Sequence, residues 1–368
     1  MADKIRVLHL IAKWGRSNDL INEYIRSLDQ DRFESILCSM DAGPGDGFKP
    51  EGYLLHSLGY SRENLHGFHP RVAWELKRLL VEQDIQILHC HKHRSVLYGT
   101  MAAVMSRKKD LKVIATVHSL RRSRTLNRRL TNRFFFPRIS RIIAVSEAVR
   151  QDVLLANRYL DPEKIVVIHN GINLDRFPLR TGTEQRETWP VLGTVGRLVH
   201  TKGQIYLLRA FAEVIKVFPH ALLLFAGTGP LLKDLEQETE KLSIVSRVRF
   251  QGFQEDVPKF LNGLDLFIFP SLAEGLALSV LEAMATGIPV IASKVGGIPE
   301  ILQGQPCGRL VEPRDVAGLA QAIVDLLSKG EQRLIEMGRP GRKRVEETFS
   351  LRRMANDTER LYLQVTGS

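Results

Sequence analysis

The sequence predicts an α/β protein made of two doubly wound parallel sheets, each covered by helices on both faces. Its 368 residues exceed one typical core and suit two domains. Short apolar runs alternate with helical patterns in both halves, as βα repetition requires. The alternation breaks once, from Phe177-Pro178 to Trp189-Pro190, a polar stretch bracketed by prolines that reads as a linker or hinge.

In the first half, Ile5–Ile11, Ser35–Met40, Ile85–His89, Lys112–Val117, Arg141–Val145 and Lys164–His169 read as strands. Most are apolar on both faces, the mark of a buried parallel sheet. Val72–Gln83 and Val96–Ser106 carry helical periodicity between them. After the linker, Val191–Gly196, Ala221–Ala226, Val248–Gln251, Leu266–Phe269, Val290–Ala292 and Gly308–Val311 read as strands, and Arg352–Gln364 as an amphipathic helix. Open α/β sheets bind ligands beyond the carboxyl ends of their strands. Two such domains facing each other enclose a cleft, so the loops after the strands carry the function.

Bulk composition excludes several classes. At 44% hydrophobic and 25% charged the chain reads as ordinary, soluble and globular. No apolar run approaches the roughly 20 residues of a membrane helix, and Lys4 and Arg6 interrupt the first strand, so no signal peptide is expected. Cys38, Cys90 and Cys307 are odd in number and far apart, which fits reduced thiols in a cytoplasmic protein. The net charge of +11 is uneven: residues 1–180 hold 30 Lys+Arg against 19 Asp+Glu, and the remainder is balanced. No acidic residue lies between Asp110 and Glu147, so Arg121–Arg141 forms a basic stripe, interleaved with Phe134-Phe135-Phe136. Such a stripe suits an anionic membrane surface. Its alternative is a solvated helix whose phenylalanines turn into the core.

Four stretches carry the candidate chemistry. Gly196-Arg197 and Lys202-Gly203 lie between a strand and a helix, where two cations and free helix amides suit an anion. Glu274-Gly275-Leu276-Ala277-Leu278 follows another strand and leads into a helix carrying Glu282. Carboxylates suit vicinal sugar hydroxyls, and the amides of Gly275 to Leu278 can cradle an anion. A ligand needing both sets is a nucleotide-sugar. Glu282 has a structural alternative, since Ser279-x-x-Glu282 matches a capping box. Gly252-Phe253 could line a base pocket or the core. His118 ends a strand and is a candidate contact to the transferred group, or else a histidine that satisfies a nearby loop.

Two further patterns are read as non-functional. In His89-Cys90-His91-Lys92-His93 an extended chain puts the three histidines on one face, but no second ligand cluster appears at finger spacing, so no metal is expected. Asp29-Gln30-Asp31 matches an Asp-x-Asp metal spacing but lies in a polar loop after a helix.

The chain resembles the GT-B-fold retaining glycosyltransferases of glycosyltransferase family 4, which build bacterial polysaccharides and lipopolysaccharides. The resemblance rests on Ile143-Ala144-Val145-Ser146-Glu147, Asn170-Gly171-Ile172-Asn173, Val195-Gly196-Arg197-Leu198 with Lys202-Gly203, Phe269-Pro270-Ser271, Glu274 with Glu282-Ala283-Met284-Ala285-Thr286-Gly287, and Val295-Gly296-Gly297-Ile298-Pro299-Glu300. It implies two Rossmann-like domains: residues 1–178 on the acceptor side, with the C-terminal helix 352–368 packing back on them, and residues 179–351 binding the nucleotide-sugar. It implies that Arg197 and Lys202 bind the donor diphosphate, Glu282 the ribose, and Glu274 the sugar, with His118 near the transferred group. It further implies a UDP, GDP or ADP sugar donor, a glycan or lipid-linked acceptor, no cofactor, no metal and no nucleic acid. A peripheral place on the inner membrane face follows from the basic stripe. The first loop, Lys13-Trp14-Gly15-Arg16-Ser17, departs from the family in having one glycine; Gly15 and Arg16 are its acceptor or loop candidates. Ala277 replaces the glycine of the usual Glu-Gly-Phe-Gly, and Asn173 stands where Asp is common. A nucleotide-sugar epimerase or hydrolase on the same fold, and a non-catalytic basic protein binding lipid or nucleic acid, are the rival readings.

Overall fold

The computed structural model describes residues 4–15, 19–44, 48, 50–61, 69–120, 126–180 and 189–367. The chain forms two compact units, one of Met1–Asn170 with Leu351–Ser368 and one of Gly171–Ser350. The division falls before the 178/179 boundary expected from the prolines. The reason is local pairing: the Ile172 N–H donates to the Phe349 carbonyl at 3.0 Å, which ties residues 171 onward to the second unit. Of the expected linker, residues 181–188 lie outside the described residues.

The first unit holds β1 (Ile5–Ile11), β2 (Phe33–Asp41), β3 (Leu54–Tyr60), β4 (Ile87–His91), β5 (Lys112–Val117), β6 (Arg141–Ala144) and β7 (Ile165–Val167). They form one parallel sheet in the order β3-β2-β1-β4-β5-β6-β7. Helices α1 (Asp19–Arg26), α2 (Pro70–Glu82), α3 (His93–Ser106), α4 (Leu126–Phe135) and α5 (Glu147–Ala156) connect them. β3 is a strand that the apolar pattern did not reveal. It is a partly exposed edge strand, so burial never selected an apolar run there.

The second unit holds β8 (Val191–Val195), β9 (Leu222–Ala226), β10 (Val248–Phe250), β11 (Leu266–Phe269), β12 (Val290–Ser293) and β13 (Gly308–Val311). Their order, again all parallel, is β10-β9-β8-β11-β12-β13. The helices are α6 (Gln204–Val217), α7 (Leu232–Lys241), α8 (Val257–Asn262), α9 (Leu278–Ala285), α10 (Ile298–Leu302), α11 (Val316–Leu327) and α12 (Glu331–Thr348). In each sheet the winding reverses once, between β1 and β4 and between β8 and β11. The loops leaving those strand pairs diverge to opposite faces and open a crevice at the carboxyl edge. A buried ion pair anchors the start of β8: Arg180 reaches the Asp265 carboxylate at 2.9 Å, and the same carboxylate accepts the Val191 N–H at 2.8 Å.

The last helix, α13 (Leu351–Thr366), returns to the first unit. Leu351, Ala355, Leu361 and Tyr362 are buried in the same cluster as Tyr24 and Phe33. Tyr362 ends in polar company. Its hydroxyl lies 2.8 Å from the Tyr24 hydroxyl and 2.6 Å from His89 Nδ1. His89 Nε2 lies 2.6 Å from Thr116 Oγ1, so both of its ring nitrogens are engaged.

His9 stands in register with His89 across β1 and β4, and His91 lies two residues on, so all three imidazoles share one sheet face. His9 Nδ1 and His91 Nε2 are 3.4 Å apart. The histidine that leaves this face is His93, because β4 ends at His91 and α3 begins at His93. Burial first, and neighbouring imidazoles second, hold all three pKa values well below the ordinary histidine value. Among the described residues these are the one set whose ligand atoms converge, within 4.8 Å of one another. A dication there would have to take His89 from one of its hydrogen bonds. His89 is engaged through both ring nitrogens, while His9 Nε2 and His91 Nδ1 are buried without a hydrogen-bond partner among the described residues.

Two predictions follow from these buried polar groups. Asp265→Ala strands a buried guanidinium and the Val191 amide, and lowers unfolding free energy by about 3–5 kcal/mol, measured by denaturant titration. The three imidazoles are neutral when folded but gain protons in the unfolded chain below about pH 6.5, so stability falls as pH drops. The melting temperature is therefore lower at about pH 5.5 than at 7.5, and His9→Gln makes that fall shallower.

Candidate active site

The loops after β8 and β11 meet at the switch point of the second sheet. After β8 the chain makes a 3₁₀ turn, His200–Lys202, and Gly203 then takes a left-handed conformation (φ 66°) to start α6. A Cβ on Gly203 would lie 2.1 Å from the Pro270 carbonyl oxygen, so glycine lets the two loops touch backbone to backbone. The Thr201 carbonyl then accepts the Leu272 N–H at 2.8 Å and lies 2.9 Å from Ser271 Oγ. Behind them, the Gly227 N–H donates to the Gly252 carbonyl at 2.7 Å and the Gly196 N–H to the Ala226 carbonyl at 2.9 Å. Gly227 (φ 142°) has no room for a side chain, since its Cβ would meet the Gly196 carbonyl oxygen at 2.0 Å.

This seam brings Lys202 to Glu274. The Lys202 ammonium donates to Glu274 Oε1 at 2.7 Å and sits 4.7 Å from the centre of the Phe269 ring. Ser271 Oγ lies 2.6 Å from the same carboxylate oxygen. The pair is mostly shielded, with side-chain exposures of 25% for Lys202 and 13% for Glu274. Arg197 is exposed at the head of the loop, and the Gln204 side-chain amide fixes its carbonyl at 2.9 Å. Ser271 and Phe269 are contributors that sequence reasoning passed over. The phrase Phe269-Pro270-Ser271 was visible, but no spacing rule says that a hydroxyl three residues before a carboxylate will orient it.

Gly275 to Leu278 lead into the amino end of α9. The Gly275 carbonyl accepts the Gly297 N–H at 3.1 Å, and Leu276 and Ala277 are buried, so the loop is held from behind. The N-cap of α9 is Ala277, with no side-chain cap. The capping box read from Ser279 and Glu282 is therefore not formed, because the helix begins at Leu278, one residue before Ser279. Glu282 is half-buried in the second turn. The first-turn amides of a helix have no intrahelical acceptors and face outward as anion donors. Gly252 is left-handed (φ 67°), and Phe253 is 50% exposed rather than a core residue.

The first unit carries the remaining candidates. His118 follows β5, half-buried, with its ring 6.1 Å from that of His91. It borders a cavity of about 30 Å³ shared with Lys92, His93, Thr116, Asn132 and Phe136. Lys92 holds a left-handed φ of 71° at the β4–α3 junction, a strained position for a residue with a side chain. In the sequence His93 reads only as a possible metal ligand, and Lys92 carries no assigned role. Gly15 is described, with open space around it, after Trp14, whose N–H meets the Asp41 carboxylate at 2.9 Å. Arg16 lies outside the described residues. The Asp29 carboxylate accepts the Asp31 N–H at 2.9 Å, a local turn. Of the basic stripe, residues 121–125 lie outside the described residues; Phe135 and Phe136 are buried, while Leu130 and Phe134 are 60% and 54% exposed on α4.

Gly203→Ala tests the seam. The added methyl group has only backbone to displace, so it pushes the loop bearing Glu274 away and costs about 1–3 kcal/mol of stability. A melting temperature equal to that of the unchanged protein would show that the loops are not held by this contact.

The architecture is that of known sugar-transferring enzymes. Residues 20–176 match the family described as Glycosyltransferase Family 4, and residues 189–329 match Glycosyl transferases group 1. The chain is 26% identical over 309 residues to the UDP-Gal:alpha-D-GlcNAc-diphosphoundecaprenol alpha-1,3-galactosyltransferase of Escherichia coli, covering 79% of this chain and 78% of that protein. It is 26% identical to the lipopolysaccharide core biosynthesis mannosyltransferase LpsB of Rhizobium meliloti, over 75% of this chain and 79% of that one. Among solved structures, Anabaena HepE in complex with UDP superposes with a TM-score of 0.80 at 20% identity, covering 98% of this chain and 100% of that one. With matches in both units and two parallel-sheet α/β domains of the GT-B fold, the chain belongs to the family 4 glycosyltransferases.

Proposed function

We propose that the protein moves a sugar from a nucleoside-diphosphate donor to a hydroxyl of a glycan or lipid-linked acceptor, with retention of anomeric configuration and without a metal. The observation that carries this is the Lys202–Glu274 pair at the switch point of the six-stranded sheet, beside exposed Arg197 and the amino end of α9. Cationic and acidic groups at one crevice suit a ligand that is phosphate at one end and polyol at the other.

In this reading Arg197, Lys202 and the Gly275–Leu278 amides stabilise charge as it builds on the departing diphosphate, which works best from preorganised donors. Glu282 holds the ribose hydroxyls, and Glu274 those of the sugar. Phe253 and Gly252 border the base. His118 serves the transferred group, and the basic first unit suits an anionic or lipid-linked acceptor. Retention proceeds at the front face, with the leaving phosphate taking the acceptor's proton. A uridine donor is the first to try, because HepE was solved with UDP and the E. coli relative is named for a UDP-sugar.

We place the work at lipopolysaccharide or surface-polysaccharide synthesis on the inner membrane face. Support comes from the LpsB relative, the lipid-linked acceptor in the E. coli relative's name, and α4. That helix shows Leu130 and Phe134 among Arg128, Arg129 and Arg133, and Arg138 stacks 4.1 Å over Phe134. No described helix is long and apolar enough to cross a membrane.

Arg197→Ala is expected to lower turnover by about 10²–10³ with the fold intact. Thermal shifts with UDP, GDP and ADP sugars identify the base, since a ligand of the folded state raises the melting temperature. Near-normal turnover in Arg197→Ala, or donor consumption independent of any acceptor hydroxyl, would refute the assignment.

A further inference from the structure

The donor site contains its own competitor for the diphosphate. Lys202 is not poised in open solvent; its ammonium lies against Glu274 at 2.7 Å, and the carboxylate is steadied by Ser271 Oγ at 2.6 Å. Both partners are more than two-thirds shielded, so the pair is worth more than a surface ion pair. A diphosphate that takes Lys202 strips Glu274 of its cation and leaves a shielded carboxylate next to new negative charge. The Ser271 hydroxyl alone cannot replace that cation, because its single proton is shared between Glu274 and the Thr201 carbonyl. Sugar hydroxyls can replace it, since each donates one hydrogen bond. A sugar-free nucleoside diphosphate brings none to that position.

We propose that Glu274 and the diphosphate compete for Lys202, so that the site holds a nucleoside diphosphate firmly only while a sugar is attached and releases it once the sugar has gone. This rests on the reading of Arg197, Lys202 and Glu274 as the donor site. Glu274 is then a specificity and product-release residue as well as a sugar contact. The device needs no domain motion: the movement of one ammonium between a carboxylate and a phosphate is enough. Phe269, 4.7 Å from the ammonium, gives it an apolar, electron-rich surface along which to move.

The prediction runs against the usual effect of mutating a binding residue. Glu274→Gln, which is isosteric and keeps a hydrogen-bonding side chain, binds UDP (or GDP or ADP, whichever the unchanged protein binds) more tightly, on the order of fivefold to twentyfold. Its affinity for the matching sugar nucleotide does not rise in step, so the preference for the sugar-bearing form shrinks, and product inhibition becomes stronger. Glu274→Asp keeps the charge but shortens the reach, and gives an intermediate tightening. In a Lys202→Met background, Glu274→Gln tightens UDP binding less than it does in the unchanged protein, because the contested cation is gone and only charge repulsion is left to relieve.

Calorimetric titration of the unchanged protein and of the Glu274→Gln, Glu274→Asp, Lys202→Met and Lys202→Met/Glu274→Gln variants, each checked for folding by its melting curve, decides the matter. Equal or weaker UDP binding in Glu274→Gln would overturn the proposal. So would a tightening that persists undiminished with Lys202→Met, since that is simple charge repulsion, or its absence in Glu274→Asp. Failure of the underlying reading looks different: the unchanged protein would then bind none of the nucleotides, or Arg197→Ala would bind them as well as it does.

Discussion

The approach of two loops without a side chain between them is the constraint on which the candidate site depends. The 2.1 Å that a Gly203 Cβ would leave to the Pro270 carbonyl oxygen is far inside contact distance, so any other residue separates the turn after β8 from the turn after β11. Lys202 and Glu274 lie on opposite sides of that seam. Lys202 sits just before Gly203 and Glu274 four residues after Pro270; they pair because the backbones touch. The parallel order β10-β9-β8-β11-β12-β13 makes β8 and β11 neighbours, and so supplies the two loops at one place. The glycine decides how close they come.

The first unit is organised by a different kind of contact. Here the polar network of His9, His89, His91, Thr116, Tyr24 and Tyr362 lies inside the core, where each unsatisfied group would be costly. Tyr362 belongs to a helix that follows the whole second unit in sequence, yet its hydroxyl completes hydrogen bonds on β4 and α1. The C-terminal helix is therefore held by directional bonds as well as by the apolar surface of Leu351, Ala355 and Leu361. His118 stands at the edge of this network, one ring away from His91.

Much of this was legible in the sequence, for reasons that differ from element to element. Leu266–Phe269 read correctly to the residue because it is a short, fully buried apolar run ended by Pro270. β3 did not, because an exposed edge strand bears no burial pattern. Ser279–Glu282 matched a capping box because the match depends on letters alone, whereas the first helical residue depends on where the buried loop Leu276-Ala277 delivers the chain. The histidines of the His89–His93 run were expected to share one face of an extended strand. The structure keeps two, sends His93 into α3, and adds His9 from a neighbouring strand in register.

By itself, then, the sequence determined the alternation of elements, the two parallel sheets, the family, and the short phrases that hold the charged residues of the candidate site. Those are consequences of local pattern: burial on both faces of a strand, helix periodicity, glycine and proline at turns. Tertiary structure alone decided that Lys202 and Glu274 neutralise each other, that Ser271 steadies the carboxylate, and that His9 joins His89 and His91. These are pairings between residues 72, 3 and 80 positions apart, set by which strands lie side by side and how closely their loops approach. Spacing in the chain does not encode such distances; packing does.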